Sequence, residues 1–232
     1  MVSQELIDLM RSVDTPTICN AIEVAEGKRG FSCFTRKTML ASEPIAQPLV
    51  GLALTAKIAA NKPPTDSPDV IKKRRMDYYR YVANGARPGV IIIEDEDGEE
   101  ACGAYWGEVN ATVHQAFGLE GVVTNGLMRD LGDLPIGFPI IAGAIGPSHG
   151  FVHVRDFNCP VSVLGMTVVP GDIIHADRHG AAVVPAGLLN KMPASIAQLL
   201  ASEALILEPA RKEGFDFDAF EKAWTAFEKA KT

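Results

Sequence analysis

The sequence predicts an α/β protein in which helices are layered on a mixed sheet. Three observations carry this. Helical and strand periodicities alternate through the first half of the chain. The runs Val90-Ile91-Ile92-Ile93 and Gly121-Val122-Val123-Thr124 have the composition of strands buried on both faces. Short apolar stretches punctuated by Gly and Pro then crowd the second half, where a simple doubly wound sheet would continue to alternate.

Residues 3 to 13 place Leu6, Ile7, Leu9 and Met10 at helical spacing. Asp14-Thr15-Pro16-Thr17 is a helix start, a capping carboxylate followed by Pro in the first turn, for a helix over Ile18 to Ala25 that stops near Gly27. Residues 28 to 48 are irregular. Val50 to Ala60 alternates as a strand, and Ser67-Pro68 opens a helix that runs to about Val82. After the buried run at 90–93 comes the acidic Glu94-Asp95-Glu96-Asp97. Trp106 to Phe117 reads as a helix, Gly121 to Thr124 as a strand, and Asn125-Gly126 as a turn. Phe138 to Ile141, Val161 to Leu164, Asp172 to His175 and Ala181 to Val184 are further short strands. From Ala186 the chain is mostly helical, with breaks near Pro209 and Gly214. No Pro/Ser-rich linker or internal repeat divides it, so residues 1–232 read as one domain with N-terminal helices and a helical C-terminal tail.

Composition narrows the function. A formal net charge of −7 argues against coating nucleic acid, which requires an excess of Lys and Arg. The basic run Lys72-Lys73-Arg74-Arg75 precedes Met76, Tyr78, Tyr79 and Tyr81, the pattern of a solvated helix face with aromatics turned inward. No apolar stretch is long enough to span a bilayer, and the N-terminus lacks the features of a signal peptide, so a cytoplasmic location is expected. The four cysteines form no C-x-x-C pair and are expected to be reduced, buried thiols.

Two segments carry candidate chemistry. In Gly121 to Asp130, Arg129 and Asp130 follow the carboxyl end of a buried strand, where ligands gather in open α/β sheets. Arg matches a carboxylate with a planar fork of donors, and Asp is a hard oxygen ligand suited to magnesium or manganese. The same pair is also compatible with a surface ion pair. In Gly103 to Asn110, a glycine turn opens a helix whose first amides can cradle an anion. There Glu108 is either a dipole-complementing residue or, beside Arg129 and a metal, a general acid/base. A third segment holds Asp172, Asp177 and His179, but Pro170-Gly171-Asp172 and Asp177-x-x-Gly180 are also turn chemistry, and the structural role is favoured. His114, His149, His153 and His175 lack partner spacing and are read as structural or exposed. No nucleophile-elbow context surrounds Ser148 or Cys102.

Taken in order, Asp14-Thr15-Pro16-Thr17, Pro88-Gly89, Gly107-Glu108, Gly126-x-x-Arg129-Asp130, Phe138-Pro139-Ile140, Pro160-Val161, Pro170-Gly171-Asp172 and Asp177-x-x-Gly180 before Val183-Val184-Pro185 resemble the RraA-like family over residues 14 to 190. That family includes 4-hydroxy-4-methyl-2-oxoglutarate/4-carboxy-4-hydroxy-2-oxoadipate aldolases. The resemblance implies a β/β/α swivelling-domain fold, homotrimers or homohexamers with sites between subunits, and a class II aldolase, often with oxaloacetate decarboxylase activity. It assigns Arg129 to the carboxylate of the pyruvate unit and Asp130 to a Mg²⁺ or Mn²⁺ ion. The backbone amides of Gly107, Glu108, Val109 and Asn110 hold the substrate, and Glu108 orients a proton-shuttling water.

No lysine in the motif offers a Schiff base, which favours the metal route. Asn125 stands where the family usually has Asp. A further acidic ligand is expected from a neighbouring subunit's C-terminal helix, with Glu203 and Glu208 as candidates. The partner implied is a small 2-oxo acid, not nucleic acid or membrane. The alternative function is that of a non-catalytic regulator that binds and inhibits RNase E, as some family members do. The aromatic tail (Phe215, Phe217, Phe220, Trp224, Phe227) suits either an oligomer contact or an intramolecular core.

Overall fold

The computed structural model describes residues 2–44 and 47–231. Within them, Leu49–Ala59 (β2), Gly89–Asp95 (β3), Gly121–Met128 (β5) and Ile140–Ile145 (β6) form the centre of a mixed sheet. Neighbouring strands run parallel from β2 to β3 to β5 to β6. Leu40–Ala41 (β1) edges β6, while Ile173–Asp177 (β10) and Gly180–Val184 (β11) extend the sheet antiparallel beyond β2. The far end of β2 also pairs with His153–Phe157 (β7), and the far end of β5 with the short parallel strand Ala104–Trp106 (β4). Val161–Val163 (β8) and Met166–Val168 (β9) make a separate hairpin.

Alternation within β3 explains the layering. Ile91 and Ile93 pack with Tyr78, Trp106 and Phe138 beneath helices Pro68–Ala83 (α3) and Glu108–Ala116 (α4). Val90 and Ile92 face the other way, onto Val161, Val163, Met166 and Val168 of the hairpin. The expected β/β/α order is therefore present: hairpin, central sheet, helices. A third cluster joins helices Gln4–Arg11 (α1), Thr15–Glu26 (α2) and Met192–Ala210 (α5) to β2, β10 and β11 through Ile7, Met10, Ile22, Val50, Ile173 and Ile196.

Caps fall where expected. Asp14 accepts from the Thr17 amide at 2.9 Å, and Gly27 closes α2 at φ 69°. Phe217–Lys231 (α6) folds back on α5 and buries Ala223, but leaves Phe217 and Trp224 exposed. The tail is thus only partly an intramolecular core. Among the described residues no helix is long and apolar enough to cross a membrane.

Four expectations need correction. Trp106 ends β4 rather than opening a helix; it is fully buried, and α4 starts two residues later. Asn125-Gly126 is not a turn, because β5 continues through it to Met128. The Asn125 amide replaces a rung of the ladder, accepting from the Asp95 amide at 2.7 Å and donating to the Asp95 carbonyl at 2.9 Å. The register against β6 shifts there, so the pair marks an irregularity inside a strand. Strands β1, β7 and β9 were not foreseen; β1 lies in the stretch 28 to 48 expected to be irregular. The four cysteines are free, but none is fully buried, and Cys102 is exposed.

Candidate functional site

The two motifs meet because β4 and β5 are parallel neighbours whose carboxyl ends emerge together. The Arg129 amide donates to the Trp106 carbonyl at 2.8 Å, setting Arg129-Asp130 against Gly107-Glu108. Gly107 is the N-cap of α4 and has no side chain to cap it. Asp130 does so from across the site, its Oδ2 accepting from the Glu108 amide at 3.1 Å. A carboxylate at this end of a helix is favourable because it meets unpaired amides and the positive end of the helix dipole. Asp130 adopts the left-handed backbone, at φ 56°, to reach this position.

Side chains crowd position 107. A Cβ there would lie 2.7 Å from Arg129 Nε and closer still to Asp130 Oδ2. Arg129 Nε is buried, 3.4 Å from Asp130 Oδ2, and makes no hydrogen bond among the described residues. The guanidinium is ion-paired with Asp130 through Nε but donates no hydrogen bond among the described residues.

Gly107 and Arg129 border a cleft of about 300 Å³ between α3, β4, the first turn of α4 and the segment leading into β7. Its polar walls are Arg75, Tyr79, Tyr105, Asn110, Arg129, His149 and His153, and no carboxylate lines it. Gly107 and Val109 also line it, so four of the sequence candidates, with Arg129, Asn110, Gly107 and Val109, share one cavity. The Asn110 side chain is already engaged, donating to the Tyr105 carbonyl at 2.7 Å and accepting from the Tyr79 hydroxyl at 2.6 Å. It fixes the walls and leaves the first-turn amides to a ligand. Glu108 is exposed, and its carboxylate is not among the walls.

His114 locks α4 to α3. Its Nδ1 donates to the Asn110 carbonyl at 2.6 Å, and its Nε2 accepts from the Tyr78 hydroxyl at 2.8 Å. Burial pushes its pKa down to about 4, so it stays neutral there.

Other candidates lie elsewhere. Asp172 accepts from the Val169 amide in a turn, and Asp177 accepts from the amides of Thr15 and His179, tying α2 to β10. Both bear out the structural reading. Asn125 is committed to β3. Glu203 and Glu208 sit on α5, which contributes no wall to the cleft. Sequence reasoning read Arg75 as part of a solvated face, Tyr79 as turned inward, and His149 and His153 as structural or exposed; it did not place them in the cleft, although His149 is indeed exposed. For the first two a signal existed: Ile71, Arg75 and Tyr79 are spaced by four on α3 and all face the cleft.

The family model described as RraA-like, Aldolase/RraA, matches residues 15–183, which include both motifs. The chain belongs to the RraA-like family. It is similar to Protein DlpA of Legionella pneumophila, 25% identical over 182 residues that cover 75% of this chain and 27% of that protein. It is also similar to a Halalkalibacterium halodurans protein named "Putative 4-hydroxy-4-methyl-2-oxoglutarate aldolase", 28% identical over 140 residues that cover 60% of each. The chain thus spans only part of the length of either relative. Among solved structures, an uncharacterized protein from Pseudomonas syringae superposes with a TM-score of 0.71 at 20% identity, covering 97% of this chain and 94% of that one. Streptomyces coelicolor RraAS2, described as an unusual member of the RNase ES inhibitor RraA protein family, gives 0.66 at 20% identity, covering 90% and 98%. These likenesses establish the fold.

Proposed function

We propose that this RraA-like protein is a carbon–carbon lyase, a divalent-metal-dependent class II aldolase/decarboxylase that releases pyruvate from a 4-hydroxy-2-oxo acid or from oxaloacetate. One observation carries the reading. The Arg129 guanidinium, ion-paired with Asp130 but making no hydrogen bond, lines a cleft without carboxylate walls beside the first turn of α4.

Arg129 binds the carboxylate of the pyruvate unit, and the first-turn amides of Val109 and Asn110 add donors on the same side. Charge that grows on the C2 oxygen as the bond breaks is met by these fixed donors, which need no reorganisation. Arg75 suits a second anionic group of the substrate. Glu108 is left to orient water at the edge of the site.

The donor set fits a hard cation with few protein ligands. Asp130 has a second oxygen uncommitted, and no cluster of three His, Cys, Asp or Glu gathers among the described residues. Mg²⁺ and Mn²⁺ suit such a site because they retain waters and share substrate oxygens. When bound, the ion supplies Lewis acidity at the ketone and carboxylate oxygens. We also propose a homotrimer or homohexamer, supported by the exposed Phe217 and Trp224 on α6.

The test is a pyruvate-release screen over oxaloacetate and several 4-hydroxy-2-oxo acids, with and without Mg²⁺ or Mn²⁺. Turnover that EDTA and Asp130→Ala both abolish is expected. Turnover surviving both would refute the mechanism. Capture of RNase E with no turnover on any 2-oxo acid would support the regulator instead.

A further inference from the structure

Cleaving a 4-hydroxy-2-oxo acid requires a base, because the hydroxyl proton must leave as the C3–C4 bond breaks. No Asp or Glu lines the cleft, and Glu108 is exposed outside its walls. His153 lines it and is 8% exposed. It opens β7, paired in register with Ala59 of β2. The segment before it is pinned on two sides: the Ala104 amide donates to the Ser148 carbonyl at 2.7 Å, and the Phe151 amide to the Ala60 carbonyl at 2.8 Å.

The tautomer of His153 follows from its surroundings. Nδ1 lies 2.8 Å from the Phe151 carbonyl oxygen, which can only accept, so Nδ1 carries the hydrogen. The neutral ring then holds its lone pair on Nε2, which has no partner among the described residues. His153 lines the cleft, and Nε2 is its one polar side-chain atom without a protein partner among the described residues. His149 has the same Nδ1 arrangement, 2.7 Å from the Gly150 carbonyl, but it is exposed on a loop.

We infer that His153 Nε2 is the base that accepts the C4 hydroxyl proton in aldol cleavage. The O–H electrons form the C4 carbonyl. The C3–C4 pair passes to C3 and is delocalised onto the C2 carbonyl. The proton held on Nε2 returns to C3 as the methyl hydrogen of pyruvate. No water, oxidant or reductant is consumed. This rests on the lyase reading of the cleft and refines it, because oxaloacetate has no hydroxyl proton to lose and its decarboxylation needs no such base.

The experiment compares kcat and KM for 4-hydroxy-4-methyl-2-oxoglutarate cleavage and for oxaloacetate decarboxylation in the full chain with Mg²⁺. His153→Asn keeps a donor for the Phe151 carbonyl and removes the base; His153→Gln serves if that variant does not fold. Cleavage is expected to lose on the order of 10²–10⁴-fold in kcat, while decarboxylation keeps its kcat and KM. Equal loss of both in the His153 variants, or unchanged cleavage, would overturn the assignment. A wild-type chain inactive on both substrates overturns the lyase reading itself, and the base assignment with it.

Discussion

Gly107→Ala is the smallest change that probes the whole candidate site. The backbone at 107, φ −138° and ψ −174°, is open to any residue, so the substitution adds no conformational strain. What it adds is one methyl group, 2.7 Å from Arg129 Nε and nearer to Asp130 Oδ2. Both obstacles are side-chain atoms, so the strands stay in place and the two functional groups are displaced. The stability cost is that of a modest overpacking plus the Asp130 cap on α4, about 1–2 kcal/mol. For a chain of this length that is roughly 2–8 °C in Tm. The loss in pyruvate-release kcat/KM should be larger, on the order of 10²-fold, because a catalytic geometry displaced by an ångström loses about that much. Thermal unfolding and a coupled pyruvate assay measure the two effects. In an Asp130→Ala background the added methyl should cost less, by about 0.5–3 kcal/mol of coupling. Wild-type Tm and turnover in Gly107→Ala would refute the argument that Asp130 and Arg129 crowd this position.

Asp130→Asn retains an acceptor for the Glu108 amide but not the charge, so Tm should hold while metal-dependent turnover is lost; a matched fall in both would make Asp130 merely structural. Asn125→Asp, which restores the family's usual residue, removes the donor to the Asp95 carbonyl and should cost about 1–3 kcal/mol, read by denaturant unfolding. Arg75→Ala should raise KM for a dicarboxylate with little change in kcat; an unchanged KM would remove Arg75 from substrate binding. Asp95 is buried, and its pKa is raised to about 6 by burial and then by the charges of Asp97 and Glu96. Between the ordinary aspartate value of 3.8 and about 6 the folded state therefore binds more protons than the unfolded one, and Asp95's contribution to stability falls as pH rises through that window. Asp95→Asn should remove this slope in the difference from wild type, so parallel stability–pH curves would contradict it.

The sequence was most informative where one local rule ruled unopposed. The cap at Asp14 and the two-faced burial of β3 were legible from the residues, whereas a shared site for Arg129-Asp130 and Gly107-Glu108 came only with the family resemblance. Asn125-Gly126 was misleading because its turn chemistry was overruled by a side chain that imitates backbone, which only the neighbouring β3 reveals. Trp106 has helical neighbours in sequence, but its environment comes from β5, twenty-odd residues away in the chain. β7 carries Arg155 and Asp156 and hides its pairing with β2 behind polar residues. His153 had no visible partner in the sequence because its partners are a backbone carbonyl and a cavity, neither of which leaves a spacing to read. Arg75 was hidden among three other basic residues, two of which pair outward with Asp66 and Asp77.

The cleft's arginines sit within a chain of net charge −7. Bulk repulsion and local attraction then act over different ranges. At ordinary salt the field of the net charge is largely screened beyond about 10 Å, so an approaching anion meets a weak repulsion only near the surface and a favourable field inside the slot. Such a surface discourages indiscriminate binding of large polyanions while admitting a small one that fits between Arg75 and Arg129. Added salt screens both fields, so the rate of capture should respond less steeply to ionic strength than it would in a uniformly basic protein.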